Sequence, residues 1–158
     1  MQLNVVQDAI IEEFTSVMDS VKGKLSYFRH FIQVGNKSEG TKFFRRSKEQ
    51  LLNFTKYKVW LDAEYKDGKV FFYGDSNSAI IKAILSLYLR IFSGRTPKEI
   101  MDSNIYFENE IKLYNYLPAG REYDVTSLLQ KIRSIASSFR LKSIQEAEYN
   151  FWPDRASE

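Results

Sequence analysis

The 158-residue sequence contains no cysteine. That absence excludes disulfides, thiolate metal sites and thiol catalysis together. A single histidine, His30, leaves no material for a multi-histidine zinc site and weighs against a catalytic triad. With 7 glycines and 3 prolines, the chain is neither fibrous nor of low complexity. Long apolar runs are missing too. The longest apolar helix candidate, Ala79 to Phe92, is interrupted by Lys82, Ser86 and Arg90 and is too short to span a bilayer. The opening residues, Met-Gln-Leu-Asn-Val-Val-Gln-Asp, show neither the basic nor the apolar region of a secretory leader, so the expected compartment is the cytoplasm.

What is present suits one globular domain. Hydrophobic residues make up 44% and aromatics 15%, with 12 Phe and 10 Tyr, enough to fill a single core. The net charge of +3 and pI near 9.0 suit an anionic partner but fall short of a nucleic-acid signature.

Periodicity orders the elements. Val6, Ile10, Phe14 and Val17 recur at helical spacing and predict a helix over residues 4–18. A second helix is expected over 21–34, with Leu25, Phe28, Phe31 and Ile32 on one face and Gly35 as its C-terminal cap. Residues 36–50 read as a polar, basic loop with a short helical turn. From Tyr57 the pattern alternates, with Tyr57, Val59, Leu61, Ala63 and Tyr65 on one face of a strand and Lys58, Trp60, Asp62 and Glu64 on the other. Lys66-Asp67-Gly68-Lys69 is a hairpin turn and Val70 to Tyr73 the return strand. A third strand is expected near Leu51 to Thr55, since two strands alone are marginal.

Asp75 or Ser76 is the expected cap of a helix from about Ser78 to Phe92. Its apolar residues surround most of the circumference, which places it in the middle of the core. Thr96-Pro97-Lys98-Glu99 is a capping box with proline at the first helical position. A short helix to Met101 and another from Ser103 into Lys112 should follow. Asp124 is the expected cap of the last helix, which carries Val125, Leu128, Leu129, Ile132, Ile135 and Phe139. Residues 1–141 thus form the domain and 142–158 a C-terminal tail, in which Trp152 and Pro153 have no assignment. The class is α+β, a small antiparallel three-stranded sheet packed against several helices.

Three segments in order carry a resemblance. They are Val59-Trp60-Leu61, then Gly74-Asp75-Ser76-Asn77-Ser78-Ala79-Ile80-Ile81-Lys82-Ala83-Ile84, then Ser93-Gly94-Arg95-Thr96-Pro97-Lys98-Glu99-Ile100. Together they resemble the SufE family, the iron–sulfur metabolism associated domain, across roughly residues 6–140. The resemblance implies helices on a small antiparallel sheet, as in the iron–sulfur scaffold proteins. It also implies a role: accepting sulfur from the persulfide of a pyridoxal-phosphate-dependent cysteine desulfurase. The family's acceptor cysteine lies in a Gly-Cys-Gln-Ser-x-Val-Trp segment. Matching Val59-Trp60 puts Phe54 at the glycine, Thr55 at the cysteine, Lys56 at the glutamine and Tyr57 at the serine. A threonine hydroxyl cannot hold a persulfide. The family's second segment, Leu-Ser/Thr-Pro-Ser/Thr-Arg-Ser-x-Gly-Leu, reads here Leu117-Pro118-Ala119-Gly120-Arg121-Glu122-Tyr123-Asp124-Val125, so that the arginine survives as Arg121.

The expected function is that of a non-catalytic SufE-like protein of iron–sulfur cluster assembly, with a cysteine desulfurase as partner and no cofactor, metal or membrane of its own. Candidate partner-binding residues are Thr55, Lys56, Tyr57, Trp60, Asp75 and Arg121. Blander readings stand beside these. Thr55 serves equally as a plain loop residue, Trp60 as a packed one and Asp75 as a helix cap. Arg121 would then pair with an acidic neighbour such as Glu122, and His30 would simply be packed or exposed. The alternative function is anion or nucleic-acid binding through Lys42, Arg45, Arg46, Lys48, Lys56 and Lys58, interleaved with Phe43, Phe44, Phe54 and Tyr57. Asp62 and Glu64 share a strand face, but no pocket signal accompanies them.

Overall fold

The computed structural model describes residues 2–18, 23–38, 40–41, 44–52, 57–118 and 120–151. Helix α1 (Gln2–Met18) turns Leu3, Gln7, Ile10 and Phe14 inward. Gln7 is a buried amide that periodicity did not mark. Its side chain donates to the Asn104 carbonyl at 3.1 Å and accepts from the Tyr106 and Phe107 N–H groups at 2.9 and 3.2 Å. It thereby satisfies backbone groups that open a later helix and would otherwise be stranded.

Helix α2 (Gly23–Lys37) runs past Gly35, which is therefore not a cap. The glycine is there for proximity. A Cβ at Gly35 would lie 3.0 Å from the Ala83 backbone, so α2 and the central helix meet backbone to backbone. A single 3-10 turn at Lys48–Gln50 stands in the expected polar loop.

Strands β1 (Val59–Lys66) and β2 (Lys69–Ser76) form an antiparallel hairpin in continuous register, Val59 opposite Ser76 through Lys66 opposite Lys69. Asp67 and Gly68 both take positive φ, 54° and 78°, as the right-handed twist of a two-residue hairpin demands. Among the described residues the sheet has two strands where three were expected, and residues 53–55 of the expected third lie outside the described residues. Leu51 makes only an isolated bridge to Trp60, with Leu52 N–H donating to the Val59 carbonyl at 2.8 Å. On the far edge Val70 bridges Arg95, and both edges of the hairpin are thereby covered.

Helix α3 (Ala79–Phe92) is central as expected, with ten buried residues from Ile81 to Phe92. Its cap is Ser78, whose hydroxyl accepts from Ile81 N–H; Asp75 and Ser76 lie in β2 instead. The core hydroxyl of Ser86 donates to the Lys82 carbonyl at 2.7 Å. The Thr96 box opens α4 (Pro97–Asp102) as predicted, Thr96 Oγ1 accepting from Glu99 N–H. One expected helix over 103–112 is instead two short ones, α5 (Phe107–Glu110) and α6 (Leu113–Tyr116), because Lys112 takes a left-handed φ of 54° between them. Helix α7 (Arg121–Phe151) starts at Arg121, so Asp124 sits in its first turn and is not its cap. Its Val125, Leu128, Ile132 and Ala136 are buried, and Phe139 stacks on Tyr65 at 5.3 Å. Residues 141–151, expected to fray, continue the same helix in largely exposed form. No described helix is long and apolar enough to cross a membrane.

The hairpin is as tight as a backbone allows at Gly74. A Cβ there would lie 2.5 Å from the Trp60 carbonyl oxygen and 3.0 Å from Leu85 Cδ2. Gly74→Ala should therefore cost about 1–3 kcal/mol in urea unfolding through overpacking, while Gly68→Ala, with open space around it, should cost only its φ strain.

His30 packs edge-on to Phe14 at 4.7 Å. Burial, helped by Lys37 and Arg90 and opposed by Glu13, pushes its imidazole below the ordinary value of 6.5. The unfolded chain therefore takes up that proton first, and stability declines as pH falls below 6.5 toward the folded value. Urea midpoints compared between about pH 7.5 and about pH 5.5 should show this decline in the unaltered chain and a smaller one in His30→Gln, since no second histidine titrates in that window.

Candidate partner-docking site

Hairpin register brings Trp60 directly opposite Asp75. Trp60 is buried even though alternation put it on the polar face, because the connection after α2 folds over that face. The Arg46 guanidinium from this connection lies 4.3 Å above the indole. Its Nε donates to Asp75 Oδ2 at 2.9 Å, and a terminal nitrogen reaches the Ser76 carbonyl at 3.5 Å. Lys82, one turn into α3, approaches the other Asp75 oxygen at 3.4 Å. Asp75 thus holds two cations from different elements, one of them stacked on Trp60. This is a tie between connection, hairpin and central helix, not a helix cap.

The start of β1 is fastened to the end of β2. Ser76 Oγ donates to the Lys58 carbonyl at 2.8 Å, and Lys58 N–H donates to Asn77 Oδ1 at 3.0 Å. Just before this clasp lies Tyr57, and over its ring, at 4.2 Å, stands the guanidinium of Arg121. Arg121 is largely buried and pairs with Asp124 at 3.5 Å, not with Glu122, since positions three apart share a helix face. Its Nε is buried with no hydrogen-bond partner among the described residues. The Tyr57 ring therefore roofs a cation that is otherwise incompletely satisfied.

Of the expected site residues, Trp60 joins Asp75 and Tyr57 joins Arg121, the two pairs only three residues apart along the chain. Thr55 and Lys56 lie outside the described residues, as do Lys42, Phe43 and Phe54 of the basic and aromatic stretch. Arg45, Lys48 and Lys58 are exposed, whereas Arg46 is committed to Trp60 and Asp75. Asp62 and Glu64 are an exposed pair, Asp62 accepting from Gln50 at 3.1 Å. Arg46 and Lys82 were missed as members of the cluster. In the sequence one is a charge in a basic run and the other a break in an apolar helix, and neither pattern names a carboxylate 29 or 7 positions away.

The model of the SufE family, the Fe-S metabolism associated domain, matches residues 8–136, most of the chain. This chain belongs to the SufE family. Among curated relatives it is 27% identical over 118 residues to the cysteine desulfuration protein SufE of Wigglesworthia glossinidia brevipalpis, covering 73% of this chain and 81% of that one. It is also 27% identical over 84 residues to an uncharacterized SufE-like protein of Synechocystis, where the match spans 53% of each. The fold is similar to the solution structure of a hypothetical protein from Thermus thermophilus, with a TM-score of 0.64 at 14% identity over 84% of this chain and 94% of that one. SufE kinship ties the chain to iron–sulfur metabolism and rests on the frame, since the thiol is absent.

Removing the Arg46 lid should expose Trp60 without unfolding the SufE frame. In a Trp152→Phe background, Arg46→Ala should shift indole emission to the red and increase acrylamide quenching. Stability should drop by only about 1 kcal/mol, the scale of a half-exposed cation–π and ion pair. An unchanged spectrum would show that something else shields the indole.

Proposed function

We propose that this protein works in iron–sulfur cluster assembly, in the cytoplasm, by docking on a cysteine desulfurase and altering its turnover without carrying sulfur itself. The observation that carries the reading is the absence of any thiol in a chain with a SufE frame. Sulfur relay requires a thiolate that bonds to the sulfane sulfur of the desulfurase persulfide, so that the S–S bond to the desulfurase cysteine breaks, that cysteine leaves as a thiolate and the attacking residue becomes the new persulfide. Threonine at position 55 is far too weak an acid to supply the nucleophile, and its adduct would not persist. The name of the Wigglesworthia relative, a cysteine desulfuration protein, supports a desulfurase as the partner.

Docking would use the surface around Tyr57, Trp60, Asp75 and Arg121, with Thr55 and Lys56 in the adjoining segment. Two features support binding without transfer. The hairpin that would present an acceptor is intact and clasped at Lys58, Ser76 and Asn77. Where the family pattern has a serine, Tyr57 covers Arg121. That ring would have to swing aside before the guanidinium could reach an anionic group on a partner.

The test has two arms. The purified protein should be retained by immobilised cognate desulfurase and should change its cysteine turnover, and Arg121→Ala should weaken retention. With radiolabelled cysteine, the unaltered protein should acquire no covalent sulfur, whereas Thr55→Cys should become labelled. Absence of both binding and rate change would remove the desulfurase reading. Label on the unaltered protein would overturn the claim that it cannot carry sulfur.

A further inference from the structure

A groove of about 600 Å³ opens between α2, β2 and α3, within the usual size range of small-molecule sites. Val34 of α2, Phe72 of β2 and Leu89 of α3 give it apolar walls. Its polar edge carries His30, Gln33, Lys37, Arg90 and Ser93. Lys37 supplies a positive charge with no carboxylate partner among the described residues, whereas Arg90 is paired with the Glu13 carboxylate, outside the lining, through contacts of 3.0 and 2.7 Å. Ser93 Oγ already accepts from the Phe72 N–H at 3.0 Å, which leaves its own proton free to donate inward. No carboxylate lines the groove among the described residues.

An apolar cleft edged by the Lys37 ammonium, the Glu13-paired guanidinium of Arg90 and a free hydroxyl donor selects its occupant by charge as well as by shape. A cation would meet like charge and no described acceptor carboxylate, whereas a wholly apolar molecule would leave the donors unpaired. We propose that this groove binds a small organic carboxylate with an apolar or aromatic body. The acid group would lie toward Lys37, Arg90 and Ser93, and the body against Val34, Phe72 and Leu89. This site uses none of the residues assigned to partner docking.

The probe is 4-phenylbutyrate, with 4-phenylbutylamine as the isosteric counter-probe of opposite charge. Amide chemical shifts and calorimetry on the full chain should show saturable one-to-one binding of the acid. Shifts should map to residues 30–38, 72–74 and 86–93, and the amine should bind roughly tenfold more weakly, as the change from attraction to repulsion at Lys37 dictates. Lys37→Glu should erase that preference. Val34→Trp, which adds bulk at a partly buried wall of the cleft, should reduce acid binding by about tenfold while native shift dispersion persists. No saturation by the acid, equal binding of the amine, or shifts centred elsewhere would each overturn the proposal.

Discussion

Helix α3 can occupy the middle of the molecule only because its neighbours surrender side chains where they meet it. At Gly35 and Ala83 two helix backbones approach within the space of one methyl group, and at Gly74 a strand does the same against Leu85 and the Trp60 carbonyl. Ten side chains of α3 then leave water, each large aliphatic one contributing roughly 1.5–3 kcal/mol. That burial is the main source of the stability on which every other element leans. Because α3 follows β2 with only Asn77 and Ser78 between them, fixing the helix also fixes Asp75 and Ser76. The position of the proposed docking surface is set by the core.

Around that fixed point the chain keeps a frame and loses a chemistry. Asp75 still gathers Arg46 and Lys82, and Trp60 still packs behind them. These interactions serve the architecture whether or not sulfur passes nearby. The segment that would hold the acceptor has changed at four consecutive positions, 54–57, relative to the family pattern. One of those changes has a visible structural result, since Tyr57 now stacks on Arg121. A surviving arginine is therefore not equivalent to an available one.

Much of the fold was readable from residue patterns, and most of the misreadings share a cause. Helical period, the Asp67-Gly68 turn and the Thr96 box depend on groups a few residues apart, and they emerged where expected. Gly35 was misread as a cap because its purpose is a backbone 48 positions away. Asp124 was misread as a cap because the helix begins three residues earlier, at Arg121, whereas Asp75 was misread because its partners, Arg46 and Lys82, are chosen by packing. Gln7 escaped notice for the same reason, its acceptors and donors being nearly a hundred residues distant. The absent thiol needed no structure at all. The Tyr57 ring over Arg121 could not be inferred from either residue alone.

The hydrogen bond from Leu52 to Val59 has a geometric consequence for anything tethered between them. Seven Cα steps separate the two pinned residues. Covalent geometry alone then keeps position 55 within about 12 Å of that anchorage. A partner that engages position 55 must bring its own reacting atoms within that radius, so any cleft receiving it has to be shallow or has to admit the hairpin as well.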